Sequence, residues 1–354
     1  MNDWLLRPTA AIDPTARAAA RARQRQLTKP PGALGRLETL AEDFAGWQGR
    51  AMPRLEHVDV CVFAADHGVA ARGVSAFPQA VTGQMIANFA TGGAAVAVLA
   101  RAGDARLSVV NLGTVEPLPA AAGVLDLQLA PGSADFTVAP ALTPPLMEAA
   151  LAAGRARVDA AGSLFIGGEM GIGNTTSAAA VLAGLLDVAP ETAIGRGTGV
   201  DDAGLARKHE AIAAGLARHG GDWRGLAGPE RALAVLQRVG GLEIAAVAGA
   251  FVAAAQAGVP LLVDGFITTV AALAACAINP GTRDWLLFAH RSAEAGHGRA
   301  LDALEAAPLL DLGMRLGEGS GAVVALSLLR SALVVHAEMA TFADAGVADG
   351  GGGE

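Results

Sequence analysis

Apolar and polar positions fall in blocks along this chain. Short, nearly unbroken apolar runs at residues 58–64 and 163–166 read as strands buried on both faces. Further strands are expected at 106–111, at 124–127, near Ile194, at 260–263 and at 285–288. Longer segments of helical character lie between them. Residues 14–26 are rich in Ala, Arg and Gln, with Arg17, Arg21 and Arg25 on one solvated face. Two prolines and two glycines at 30–35 form a rigid turn before a helix at 36–47. Other helices are expected at 81–101, from 178 onwards and at 320–342.

Strand and helix alternate, which predicts an α/β fold with a doubly wound, mainly parallel sheet. The last helix is expected to pack on the N-terminal helices. Residues 1–55 with 319–345 would then form a second, smaller all-helical domain. Residues 56–318 would form the parallel-sheet, substrate-binding domain, and 346–354, which includes four consecutive glycines, a flexible tail. In an open parallel sheet the ligand lies beyond the carboxyl ends of the strands. Asp66, Asn111, Glu169, Gly195 and Asp264 fall at those expected ends.

Three glycine-rich stretches carry most of the chemistry. Gly167-Gly168-Glu169-Met170-Gly171-Ile172-Gly173-Asn174-Thr175-Thr176-Ser177 leads from a strand into a helix. Asn174, Thr175 and Thr176 suit a helix start, whose free N–H groups favour a phosphate. A carboxylate is costly beside a phosphate, so Glu169 is expected at the other end of the ligand, where positive charge develops. Gly195-Arg196-Gly197-Thr198-Gly199 is a second loop, followed by a helix carrying Arg207 and Lys208. Met314-Arg315-Leu316-Gly317-Glu318-Gly319-Ser320 is the third. Desolvation would raise the pKa of Glu318 and helix N–H groups would lower it, and Glu318 could equally be a helix cap.

Composition narrows the classes. The chain is 52% hydrophobic but only 4% aromatic, so small aliphatic side chains build the core. A net charge of −8 argues against a broad nucleic-acid surface, and any phosphate site must be local. Cys61 and Cys276 sit in apolar runs and read as buried thiols. The uncharged stretch 244–263 has bilayer-spanning length, but Gln256-Ala257-Gly258-Val259-Pro260 breaks it into a helix and a strand. The start carries no signal-peptide pattern, so a cytoplasmic protein without membrane attachment is expected. No HxxxH or HExxH spacing appears among the seven histidines, which argues against a metal site. Ser292 lacks a GxSxG elbow and reads as a cap or a polar contact.

Six motifs in order resemble those of the nicotinate-nucleotide:dimethylbenzimidazole phosphoribosyltransferases of cobalamin biosynthesis. They are KPPGALGRLE at 29–38, ADHGV at 65–69, GEMGIGNTT at 168–176, GRGTGVDD at 195–202, DGF at 264–266 and RLGEGSGA at 315–322. The resemblance implies a glycosyltransferase that moves 5-phosphoribose from nicotinate mononucleotide to 5,6-dimethylbenzimidazole, with no metal or cofactor. It also implies a homodimer with a parallel-sheet core and a small helical domain built from both chain ends. By this matching Glu318 is the catalytic base and Glu169 a second carboxylate near the ribose. Gly168, Met170, Gly171, Asn174, Thr175, Gly195, Gly197, Lys208, Ser292 and Gly317 would surround the nucleotide and its phosphate. Phe77, Met85, Leu312 and Met314 would line the base pocket. Asn111-Leu112-Gly113-Thr114 departs from the more usual Asp-x-Gly-Val, which puts a ribose contact there in doubt.

Two other classes remain open on the residues alone. One is a nucleotide-dependent oxidoreductase, suggested by a partial GxGxxG pattern at Gly171 and Gly173. The other is a nucleotide or benzimidazole binder without catalysis, against which the presence of both Glu169 and Glu318 argues.

Overall fold

The computed structural model describes residues 3–348. Six strands, β1 (Val58–Ala65), β2 (Arg106–Gly113), β3 (Val124–Asp126), β4 (Leu164–Met170), β5 (Leu261–Val263) and β6 (Leu286–Phe288), form one sheet. They lie in the order β3-β2-β1-β4-β5-β6, and every pairing is parallel. The order reverses at the β1–β4 pair, which opens a crevice beyond the carboxyl ends of those two strands.

The helices are α1 (Pro14–Gln26), α2 (Arg36–Gln48), α3 (Val81–Thr91), α4 (Ala95–Ala102), α5 (Pro144–Arg155), α6 (Asn174–Leu186) and α7 (Asp202–His219). They continue with α8 (Gly228–Val239), α9 (Leu242–Ala257), α10 (Phe266–Ile278), α11 (His297–Ala303), α12 (Ser320–Glu338) and α13 (Phe342–Ala345). Side-chain caps set several starts. Asp13 accepts from the N–H groups of Thr15 and Ala16 ahead of α1, Thr143 from that of Leu146 ahead of α5, and Asp201 from that of Gly204 ahead of α7.

Helices cover both faces of the sheet. Gly167 and Gly168 are adjacent in β4, so they point to opposite sides. A Cβ on Gly167 would stand 3.0 Å from the Phe251 ring of α9, and one on Gly168 would stand 2.4 Å from the Glu318 carbonyl oxygen. These absent side chains let α9 pack on one face and let the turn into α12 reach the other. The uncharged 244–263 stretch is α9 and β5, buried among α5, α10 and the strands. Val81–Ala102 and Ser320–Glu338 also reach the length and mean hydropathy of a membrane span. The first of them is two helices, and α12 packs on α2, α4 and β4.

The structure departs from the sequence expectations in four places. Strand β4 runs on through Met170, because Glu169 and Met170 pair in register with Phe63 and Ala64 of β1. The loop after it is therefore only Gly171–Gly173. No strand forms near Ile194: two buried apolar residues, closely followed by the Gly195–Gly199 turn, are too short a run to join the sheet. The 81–101 helix breaks at Gly92, whose φ of +79° ends α3. The last long helix stops at Glu338, and a capping box at Thr341 starts α13.

Helices α1, α2 and α12 pack together, and the Arg23 guanidinium donates to the carbonyls of His336 and Ala337. From residue 349 onwards the expected flexible tail lies outside the described residues.

Candidate active site

Beyond the carboxyl ends of β4, β5 and β6 lies a cleft of about 640 Å³. One wall is the short turn after β4. Gly173 takes a positive φ at the head of α6, and the Ile172 N–H donates to Thr82 Oγ1 at 3.1 Å. This presents Asn174 and Thr175, in the first turn of α6, to the cavity. The Asn174 amide donates to Glu169 Oε2.

The opposite wall is Gly317-Glu318-Gly319, where three successive residues have φ of +88°, +65° and +89°. For glutamate this conformation costs on the order of 1 kcal/mol or more, and such strain collects at functional sites. The surroundings hold it in place. The Glu318 N–H donates to Glu169 Oε1 at 3.3 Å, and the Ser320 hydroxyl donates to the Gly317 carbonyl at 2.7 Å. Asp264 accepts from the N–H groups of Gly319 and Ala322 at 3.2 and 2.8 Å. Asp264, not Glu318, therefore caps α12. A Cβ on Gly317 would stand 2.3 Å from Glu169 Oε1, so glycine is what allows the two walls to meet.

This decides the electrostatic question that the residues alone left open. Burial pushes the Glu318 carboxyl up to about 7; the Val96 N–H works against the shift and Asp264 adds to it. Its Oε2 is buried and has no hydrogen-bond partner. Glu169 goes further in the same direction. Burial first, then the nearby carboxylates of Glu243 and Asp264, raise its pKa well above the ordinary range, despite the N–H donated by Glu318. In the unliganded cleft Glu169 thus holds its proton to higher pH than an ordinary carboxylate.

A third corner is cationic and rich in backbone groups. Lys208 is 1% exposed, and its Nζ donates to Thr175 Oγ1 and to the Gly195 carbonyl, both at 2.9 Å. Burial lowers its pKa to about 8, with Glu294 opposing the shift. Glu294 Oε2 accepts from the Gly197 N–H at 3.3 Å, and Arg315 donates to the Gly197 carbonyl at 3.3 Å. Ser292 lies on the same side of the cleft.

Most residues singled out in the sequence reach this cleft. Glu169, Glu318 and Gly317 line one end, and Met170, Gly171, Asn174 and Thr175 line the turn. Gly197 and Ser292 line the cationic corner, and Phe77 and Met85 the apolar side. Lys208 and Gly195 stand directly behind that corner, and Gly168 lies beneath the backbone of Glu318. Leu312 and Met314 do not line the cleft: Leu312 is 60% exposed, and the Met314 carbonyl is occupied by the N–H of Ala293. Leu316 takes the place expected of them.

Asp66 also falls outside. Its Oδ2 accepts from the Val115 N–H at 2.9 Å, and it lines a neighbouring cavity of about 350 Å³ with Gln79 and Glu116. Asn111 is fully buried, and its amide donates to Asp126 and Gln128, a role an aspartate could not fill. That position is structural, not a ligand contact. His67 is likewise sealed in, with Nε2 2.7 Å from Glu243 Oε1 and Nδ1 3.0 Å from Ser177 Oγ.

Sequence reasoning missed several cleft residues: His290, Glu294, Arg315 and Phe266 among them. Arg315 and Phe266 stood inside quoted motifs without a role. Glu294 and His290 flank Ser292, and only their position after β6 would have marked them.

A family model described as phosphoribosyltransferase matches residues 9–347. The chain is 56% identical, over 99% of both sequences, to the nicotinate-nucleotide–dimethylbenzimidazole phosphoribosyltransferase of Azotobacter vinelandii. It is also 56% identical to the protein of that name from Pseudomonas aeruginosa, over 98% of both. The crystal structure of CobT from Thermus thermophilus superposes with a TM-score of 0.88 at 48% identity, covering 95% of this chain and all of that one.

Proposed function

The chain belongs to the nicotinate-nucleotide–dimethylbenzimidazole phosphoribosyltransferase family, and on that premise we propose a role for each wall of its cleft. The enzyme transfers 5-phosphoribose from nicotinate mononucleotide to 5,6-dimethylbenzimidazole, releasing nicotinate and α-ribazole 5′-phosphate for the cobalamin lower-ligand nucleotide. The bond from C1′ to the pyridinium nitrogen breaks, and its electron pair neutralises the departing ring. No general acid is needed. One benzimidazole nitrogen bonds to C1′, and the other must give up its proton.

Glu318 takes that proton. The observation that carries this assignment is the place of Glu318 in the cleft wall, on a strained turn that Glu169 and Asp264 hold. A carboxyl held near 7 matches the working pH of a general base. Glu169 faces the reacting carbon. A cationic pyridinium or C1′ draws its carboxyl toward the anion, which then stabilises the charge developing at C1′. Thr175, Gly197 and the Lys208 charge behind them receive the 5′-phosphate, and Phe77, Met85 and Leu316 receive the flat base. Incubation with nicotinate mononucleotide and a panel of bases, read by mass spectrometry, tests the reaction. Absence of an α-ribazole 5′-phosphate mass would overturn it.

The glycine turn follows β4, not β1, where a dinucleotide-binding turn would lie. This disfavours the oxidoreductase alternative. We read the active form as a homodimer, supported by the exposed Phe77, Leu312 and Leu316, and light scattering tests it. The net charge of −8 supports small-molecule partners rather than nucleic acid. We place the enzyme in the cytoplasm, with no membrane partner. We also read the packing of α1, α2 and α12 as a small helical domain built from both chain ends.

A further inference from the structure

We infer that Asp264 is the positioning residue of the catalytic base: its carboxylate clamps the Gly317–Gly319 turn from the end of β5 and so aims the Glu318 side chain into the cleft. This rests on the reading of Glu318 as the base. Asp264 opens the DGF motif at 264–266, directly after β5. It is 1% exposed and does not itself line the cleft, whereas Gly265 and Phe266 do. It therefore acts through its neighbours and not on a ligand.

The turn needs a clamp. Glu318 has a φ of +65° between two glycines at +88° and +89°. Released from its surroundings, a glutamate in this conformation relaxes to negative φ, and its carboxyl leaves the acceptor nitrogen. Two carboxyls from neighbouring strands prevent this. Glu169, near the end of β4, takes the Glu318 N–H at 3.3 Å. Asp264, after the paired strand β5, takes the N–H groups of Gly319 at 3.2 Å and Ala322 at 2.8 Å. Glu169 also lines the cleft, where its charge answers to the substrate cation. Asp264 sits behind the turn and keeps both bonds whether the cleft is full or empty.

The surroundings support a negative charge on Asp264. Burial raises its pKa, and His290 with the N–H groups of Ala322, Gly319 and Gly321 opposes the rise. His290 Nε2 stands 3.6 Å from Oδ1, and a Cβ on Gly321 would stand 2.2 Å from the ring, so the imidazole is wedged against the first turn of α12. Charged groups reach Glu318 from few directions. Glu169 faces it from β4, with Glu243 of α9 beyond, and Asp264 from β5, with His290 beyond. Arg315 is turned toward the Gly197 carbonyl. Helix α4 contributes only the Val96 N–H, and the first turn of α12 carries no charged side chain. After burial itself, the Asp264 charge is what raises the Glu318 pKa.

Two substitutions separate the clamp from the charge. Asp264→Asn keeps an acceptor for one N–H and removes the charge. Its kcat should fall about tenfold to hundredfold, the scale for a misplaced reacting group, with KM for nicotinate mononucleotide within about threefold. The acid limb of turnover, near 7 in the wild type, should move down by roughly one pH unit. Asp264→Glu keeps the charge and displaces the carboxylate by one methylene, so turnover should fall while the limb stays in place. Asp13→Ala, which removes the cap of α1, is the control for lost capping: its urea midpoint should fall and its kcat should not. An Asp264→Asn enzyme with unchanged kcat, or with lower kcat and an unmoved limb, would leave Asp264 a helix cap and overturn the inference. Should these variants not fold, hydrogen exchange in the wild type decides. The Gly319 amide should be protected as strongly as those inside α12, and fast exchange there overturns the clamp. If Glu318→Gln keeps wild-type turnover, the reading of Glu318 as the base falls. If that variant is slow and Asp264→Asn is not, only the role of Asp264 falls.

Discussion

The backbone N–H of Glu318 donates to Oε1 of Glu169 at 3.3 Å. Two of the carboxyl groups that line the cleft are thus tied to one another through the main chain. The turn that strains Glu318 is the same turn that holds Glu169. Both carboxyls are raised by burial, yet the roles we propose for them are opposite: Glu318 accepts a proton and Glu169 faces a cation.

Glu318→Gln should lower kcat about a hundredfold to ten-thousandfold, the range for a positioned general base. The KM values should stay within a few-fold, and residual turnover should remain from substrate alignment. A base works when deprotonated, so the wild-type rate should rise with pH through about 7. Turnover against pH for both proteins checks this, and a variant that keeps the same acid limb would return the role to Glu169.

The same substitution should stabilise the fold at alkaline pH. In the unfolded chain Glu318 ionises near 4.5, and in the folded chain near 7. Below 4.5 both forms are protonated and no penalty exists. Between the two values only the unfolded chain ionises, so wild-type stability falls as pH rises and then levels off. Glutamine removes that loss, worth roughly 1–3 kcal/mol above pH 7 after allowance for solvent in the cleft. Urea midpoints should agree between the two proteins at pH 4, below both values, and diverge at pH 8.

Binding of nicotinate mononucleotide should release a proton from Glu169. The cationic pyridinium favours the carboxylate, so the pKa falls on binding. Release occurs at pH values between the bound and free positions, and the free position lies well above the ordinary range. Calorimetry over a series of pH values above the ordinary carboxylate range, in two buffers of different ionisation enthalpy, measures it. The component lost in Glu169→Gln is the one of interest, and proton uptake in that component would contradict the assignment.

Lys208 should impose the alkaline limb. Its ammonium loses a proton near 8 in the free enzyme, and a phosphate dianion favours the charged form. KM for the nucleotide should therefore rise above pH 8, approaching tenfold per pH unit. Lys208→Met should raise KM more than it lowers kcat and should flatten that limb. A Michaelis constant unchanged by the substitution would leave Lys208 with only its bonds to Thr175 and Gly195.

The base side should divide by depth. Phe77 is 53% exposed at the rim, so Phe77→Ala should weaken dimethylbenzimidazole binding by about 1 kcal/mol. Met85→Ala, deeper in the wall, should cost more. Leu312→Ala and Met314→Ala should change neither substrate's KM, because neither side chain lines the cleft. Isothermal titration of the four variants separates these outcomes.

Local pattern was enough for much of this molecule. The apolar runs at 58–64 and 163–166 became β1 and β4, and residues 14–26 became α1 with Asp13 as its cap. A strand buried on both faces, or a capped helix, is written into neighbouring residues. The glycine loops also marked Glu169 and Glu318, and both line the cleft, since close backbone approach is what calls for glycine at such density. What the chain alone left open depends on pairings between distant residues. Asp264 takes the α12 N–H groups that could have lowered the pKa of Glu318, and 55 or more residues separate the partners. Lys208 lost its place in the cleft wall because α7 packs it behind Gly197. Asp66 was turned toward the Val115 N–H instead. His290 entered the site only because β6 ends beside the first turn of α12. Residue order can name the groups available to a site, whereas burial and hydrogen bonds set their charge and direction, and those come from packing.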